Sequence, residues 1–126
     1  MEPAPVSRKS LFGLLLLILS VSLLTQWWAG RQDHDTGRQV AALAQPGDIR
    51  MLASETCSIC GAARAWFAEH RVPFSECTIE RDAACKAAFD ASSAPGTPVL
   101  LVRGKVQIGF NPERLRALLA AAPARG

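Results

Sequence analysis

The sequence predicts an α/β domain with a four-stranded mixed sheet and helices on both faces, preceded by one apolar helix. Three observations carry this. Leu11 to Ala29 (LFGLLLLILSVSLLTQWWA) holds no charged residue. From Ile49 onward, short apolar runs alternate with stretches of helical periodicity in the order β-α-β-α-β-β-α. Cys57-Ser58-Ile59-Cys60 sits where the first run meets the first helical stretch. With 126 residues the chain supports one small domain, and part of its length is not available for a core.

Residues 1–10 read as an N-terminal tail and residues 11–29 as a transmembrane anchor. At about 1.5 Å per residue the anchor spans roughly 28 Å, close to the thickness of a bilayer's hydrocarbon core. Trp27 and Trp28 fall at its end, where amphipathic rings favour the interface. A cleaved signal peptide is the competing reading, since Arg8 and Lys9 precede the apolar stretch. Trp27 does not suit the small-residue pattern that cleavage near Ala29 would require. A buried soluble helix fits poorly, because no face of the segment is polar. Arg8 and Lys9 favour a cytoplasmic N-terminus, against Arg31 and Arg38 on the other flank. The expectation is a single pass through the cytoplasmic (inner) membrane with the remaining chain outside the cytoplasm, in a periplasm if the source is Gram-negative.

Residues 30–47 are polar and end in Gln45-Pro46-Gly47, so they read as a linker; if flexible, its reach is about 23 Å. Val40 to Ala44 has the makings of one further helical turn. The domain is expected over 48–122, with a tail at 123–126. Ile49 to Ala53 is the first strand, and Ser58 to His70 is a helix with Ala62, Ala63, Trp66 and Phe67 at helical spacing. Val72-Pro73 breaks it, and Phe74 to Ile79 forms the second strand. Asp82 to Ala91 is a short alanine-rich helix with Phe89 on its apolar face, and Ser92 to Gly96 is turn-forming. Val99 to Val102 and Val106 to Phe110 form a hairpin about Arg103-Gly104-Lys105. Asn111 caps the last helix with Pro112 at its first position, and Leu115, Leu118 and Leu119 make its apolar stripe. A parallel β-α-β unit, a hairpin and a closing helix complete the sheet.

The dithiol position suits redox chemistry. The first sulfur meets the unpaired N–H groups and positive end of a helix dipole, which stabilise a thiolate. The second lies one turn on and can close an intramolecular disulfide. With Gly96-Thr97-Pro98-Val99 opening the third strand, and Gly104-Lys105-Val106-Gln107-Ile108-Gly109-Phe110-Asn111-Pro112 after it, the layout resembles the thioredoxin superfamily. The compact order is most similar to its glutaredoxin-like branch, over about Ile49 to Ala122. The resemblance implies that Cys57 is the exposed nucleophile and Cys60 the resolving thiol. It also implies that Pro98 is a cis-proline facing the site, and that the Thr97 backbone pairs with an extended substrate. Taken alone, Pro98 reads as a trans proline starting a strand. Two departures stand out. Glutaredoxins usually carry a lysine before the first cysteine and a Gly-Gly pair after the fourth strand, both used for glutathione. Here Ser54-Glu55-Thr56 precedes Cys57 and Phe110 follows Gly109, so dedicated glutathione use is not expected.

Cys77 and Cys85 fall on the second strand and the following helix. In an oxidising compartment they admit a structural disulfide; two buried thiols, or a relay from Cys57/Cys60, are the other readings. A four-cysteine zinc site lacks a second tight pair, since seven residues separate Cys77 from Cys85. A Cu(I)-handling dithiol is conceivable, and haem attachment is excluded because Gly61, not histidine, follows Cys60. His34 and His70 read as solvent-facing residues without a role. Arg64, one turn beyond Cys60, reads either as a solvated residue or as support for a thiolate. Trp66 and Phe67 read as core.

The net charge of +3 is modest, and no basic run is interleaved with aromatics, so a nucleic-acid partner is not expected. The function expected is that of a membrane-tethered thiol–disulfide oxidoreductase acting on protein thiols and disulfides, with no metal or organic cofactor. An electron donor or acceptor, such as a membrane reductase, would complete the cycle. The alternative is a tethered metal-binding (Cu(I) or Zn) or structural module without turnover.

Overall fold

In the computed structural model, residues 5–121 are described. Of the expected N-terminal tail, residues 1–4 lie outside them, as do Ala122 and the tail expected over 123–126. The first helix, α1 (Arg8–Leu43), begins inside that expected tail. The chain divides into two units, 1–33 and 34–126.

In the first unit the helix is long and apolar enough to cross a membrane, and the side chains from Leu14 to Leu19 are exposed on every face. Two of its hydroxyls are satisfied locally: Ser20 donates to the Leu17 carbonyl and Thr25 to the Ser22 carbonyl, both at 2.9 Å. Such back-bonding is what an apolar solvent demands of a hydroxyl. The Arg31 guanidinium lies 3.9 Å from the centre of the Trp27 ring, a cation–π contact of the sort found at interfaces.

The second unit carries the sheet. After the last turns of α1 come β1 (Ile49–Ala53), α2 (Ser58–Glu69), β2 (Ser75–Thr78), α3 (Ala83–Ala91), β3 (Val99–Val102), β4 (Lys105–Ile108) and α4 (Pro112–Ala121). The strand order is β2-β1-β3-β4. β1 runs parallel to β2, with Leu52 opposite Cys77, and antiparallel to β3, with Leu52 opposite Val99. β3 and β4 form the hairpin, turned by Arg103 and Gly104, both at positive φ. This is the thioredoxin-like fold, with the element order expected from the sequence and boundaries shifted by one or two residues.

Period-two alternation sends the strand residues to two cores. Met51, Ala53, Leu100 and Val102 join Ala63, Trp66 and Phe67 of α2 and Leu115 and Leu119 of α4. Leu52 and Val99 face the other way, packing with Cys85 of α3 and, around it, Cys77, Ala88 and Phe89. Phe67, fully buried, stacks on Phe74 at 4.5 Å and meets the edge of Phe110 at 5.5 Å. Asn111 caps α4, its Oδ1 accepting from the Arg114 N–H at 3.0 Å.

The stretch expected as a linker, residues 30–47, is instead helical as far as Leu43, and its second half is part of the domain. Thr36, Gly37, Val40 and Ala44 are buried, at the i, i+4, i+8 spacing of one helix face. The Thr36 hydroxyl donates to Glu113 of α4 and holds that carboxyl below the ordinary range. Gly37 lies against the ring of His70, which corrects the expectation that His70 faces solvent: it is half-buried beneath α1 and 4.5 Å from the Trp66 ring. A Cβ at position 37 would overlap that ring. The Gly37→Ala variant should therefore lose stability. Overpacking costs about 1–3 kcal/mol, against at most about 1 kcal/mol gained in helix propensity. Denaturant titration of the full-length protein checks this, and an unchanged or raised midpoint would refute the contact.

Candidate active site

The loop after β1 turns directly into α2, and Cys57 is the N-cap residue of that helix, with extended backbone angles. Its Sγ accepts the Cys60 backbone N–H at 3.1 Å, taking up one of the donors that a helix start leaves open. Cys57 is half-exposed, whereas Cys60 is fully buried. The two are joined by a disulfide with their Cα atoms 5.3 Å apart. Between them Ser58 and Ile59 point outward, Ile59 being 54% exposed.

Thr97 and Pro98 reach the same end of the sheet from β3. The antiparallel register pairs Leu52 with Val99, so Pro98 falls beside Ala53 and leads away from the strand edge that feeds the Cys57 loop. The Thr97–Pro98 peptide bond is cis, Pro98 is buried and Thr97 half-buried. The Pro98 carbonyl accepts the Gly109 N–H at 2.9 Å, tying this corner to the end of β4.

The site also contains residues that sequence reasoning missed. Glu80 follows β2, and the parallel register (Ala53 opposite Thr78) carries it alongside the 54–56 loop. Ser54 donates to its carboxylate, and the Glu55 N–H reaches it at 3.3 Å. Arg81 pairs with Glu55. No local spacing signals this arrangement; only the parallel register brings residues 25 apart together. The Ser54 hydroxyl holds the Glu80 carboxyl below its ordinary value of 4.5. A depressed carboxylate contributes fully above the ordinary value and loses its contribution as pH falls through the lowered one. Protection of the Glu55 amide, taken relative to its intrinsic exchange rate, should therefore fall only in acid, and in Glu80→Gln it should already be reduced at neutral pH. Arg64 is paired across to β2: both oxygens of Glu76 accept its Nε, at 2.7 and 2.8 Å, so its charge is matched locally.

Cys77 and Cys85 are joined by a second disulfide on the α3 face of the sheet, Cys85 fully buried. Asp82 caps α3 by accepting the Cys85 N–H at 3.0 Å, which fixes the start of the helix next to its sulfur. Closing this nine-residue segment is worth about 2–3 kcal/mol on the chain-entropy model. The Cys77→Ala/Cys85→Ala variant should unfold at correspondingly lower denaturant, with the Cys57–Cys60 pair still able to cycle. Loss of cycling without loss of stability would point to the relay instead.

A dithiol at a helix N-terminus, one sulfur accessible and the other buried behind it, on this sheet order, decides the comparison. Residues 49–107 match the glutaredoxin family model. The domain has the thioredoxin-like fold and resembles glutaredoxins over that stretch. Among solved structures, a point variant of the thioredoxin-like protein BC3987 superposes with a TM-score of 0.52 at 25% identity, covering 60% of this chain and 99% of that one. The parent BC3987 structure gives 0.50 at 24% identity, covering 56% and 97%. A glutaredoxin from Archaeoglobus fulgidus gives 0.47 at 22% identity, covering 57% and 85%. No curated protein sequence matches the chain. The glutaredoxin-like domain with its C-x-x-C pair fits thiol–disulfide redox chemistry.

Proposed function

We propose that this protein is a single-pass, membrane-tethered thiol–disulfide oxidoreductase that exchanges disulfides with protein cysteines. Cys57 is the nucleophile and Cys60 the resolving thiol. In the reducing direction the Cys57 thiolate attacks one sulfur of a substrate disulfide, forming a mixed disulfide and expelling the other sulfur as a thiolate, which takes up a proton. Cys60, deprotonated, then attacks the Cys57 sulfur. The second substrate thiol departs, the Cys57–Cys60 disulfide closes, and two electrons have passed to the substrate. An outside dithiol restores the reduced pair. Run backwards, the same steps oxidise a substrate dithiol.

The observation that most supports this is the Cys60 N–H donated to the Cys57 sulfur at the start of α2. A donor and a helix dipole aimed at a half-exposed sulfur favour the thiolate over the thiol. Thr97 and Pro98 supply the substrate edge: proline lacks an N–H, and an extended substrate pairs with the Thr97 backbone as an added strand would. Ile59, between the two cysteines, adds an exposed apolar side chain.

The apolar part of α1 holds the domain at the cytoplasmic membrane, on its extracytoplasmic face, within reach of a membrane-bound electron donor or acceptor. No organic cofactor or metal enters the cycle. Detergent-solubilised full-length protein, mixed with a protein disulfide and a thiol reductant, should accelerate exchange many-fold. Exchange at the uncatalysed rate would overturn the proposal. Its reduction potential, read in defined thiol buffers, gives the direction of electron flow. Impermeant thiol reagents should reach Cys57 of the reduced protein from outside the cytoplasm, and labelling from the cytoplasmic side alone would reverse the topology.

A further inference from the structure

We propose that His34, Glu69 and His70 form a divalent transition-metal site at the far end of α2, taking Zn2+ in preference to hard cations. One ligand atom from each of the three lies within 4.8 Å of the others. Ligand atoms sharing a tetrahedral ion are about 3.4 Å apart, given metal–ligand distances of about 2.0–2.2 Å. His34 and Glu69 are exposed, so rotation of their side chains suffices to close the gap. Two imidazoles and one carboxylate are a donor set that suits Zn2+ and leaves a position open for water.

Three features show that the place is shaped around His70. Its ring lies against Gly37, where any side chain would collide, and its centroid is 4.5 Å from that of Trp66. The His34 ring approaches edge-on, with centroids 5.7 Å apart, so the two imidazoles are already paired. His70 is the C-cap residue of α2 and Glu69 its last residue. A carboxylate there meets the negative end of the helix dipole, and no basic residue occupies the last turn to offset it. A bound cation offsets both charges. The Cys57–Cys60 pair is toward the other end of this 12-residue helix, about 14–20 Å away along its axis, so the site is separate from the dithiol and does not depend on the redox reading.

The test uses tag-free full-length protein in detergent, with both disulfides intact so that no thiolate competes for metal. Equilibrium dialysis against Zn2+ should show one saturable equivalent. His34→Ala and Glu69→Gln, at exposed positions, should each weaken it about tenfold or more with thermal unfolding of the metal-free protein unchanged. Co2+ in place of Zn2+ should give visible d–d bands without sulfur-to-metal charge transfer. Absence of saturable binding, affinity unaltered in His34→Ala, or a thiolate charge-transfer band would each overturn the assignment.

Discussion

Full-length Cys57→Ser protein is expected to exchange disulfides no faster than buffer, a loss of about a thousandfold or more. That is the order seen when the nucleophile is taken from a catalytic unit. The reason is chemical before it is structural. A serine hydroxyl is not ionised near neutral pH and cannot form a disulfide, so the N–H groups at the start of α2 have no thiolate to stabilise. The helix itself survives, because serine is a good N-cap and can accept the Cys60 N–H in place of the sulfur. Cys60→Ser separates the two roles. It keeps the first attack and loses the second, so substrate should accumulate as a mixed disulfide on Cys57, visible by mass under non-reducing conditions. Cys60 lies fully buried, which fits a thiol that reacts only with its neighbour. Mixed disulfide trapped on Cys60 in Cys57→Ser, with none on Cys57 in Cys60→Ser, would exchange the two assignments.

The parts of this site that were legible in the sequence are those encoded locally. The dithiol, the strand before it and the helix after it occupy one contiguous stretch, and the β3–β4 hairpin and the Asn111-Pro112 helix start carry their own turn chemistry. Of the helical path through residues 34–43 only the turn from Val40 was legible. Its buried face is Thr36, Gly37, Val40 and Ala44, residues too small or polar to register as an apolar stripe. What makes that face worth burying is His70 and Glu113, which are distant in the chain. Glu80 was missed for a related reason, since strand register rather than spacing returns it to the Ser54 loop. Arg103 was read correctly as a turn residue, but its side chain turns inward, and no turn rule predicts that.

Arg103→Ala should be the most destabilising single change at any residue away from the cysteines, by about 3–5 kcal/mol, the cost of stranding one member of a buried ion pair. The Arg103 side chain is 5% exposed and that of Asp48 3%, with the guanidinium 2.9 Å from Oδ2. The same guanidinium donates to the Leu43 carbonyl at 2.9 Å and the Leu119 carbonyl at 2.8 Å, at the C-terminal ends of α1 and α4. Asp48 in turn accepts the Gln45 N–H at 2.8 Å, and its carbonyl accepts the Arg103 N–H at 2.9 Å. One planar cation thus joins two helix termini, the entry to β1 and the hairpin turn. Deleting it leaves a buried carboxylate without its cation and removes the donor from two helix-end carbonyls. Against a total stability of about 5–15 kcal/mol for a small domain, that is a large share. Arg103→Lys keeps the charge but lacks the fork, so it should recover only part of the loss. Asp48→Asn in the Arg103→Met background removes the stranded charge, and the double variant should lose less than the two singles added together. Denaturant midpoints of the four full-length proteins decide it; strict additivity would mean that the two groups do not act as a pair.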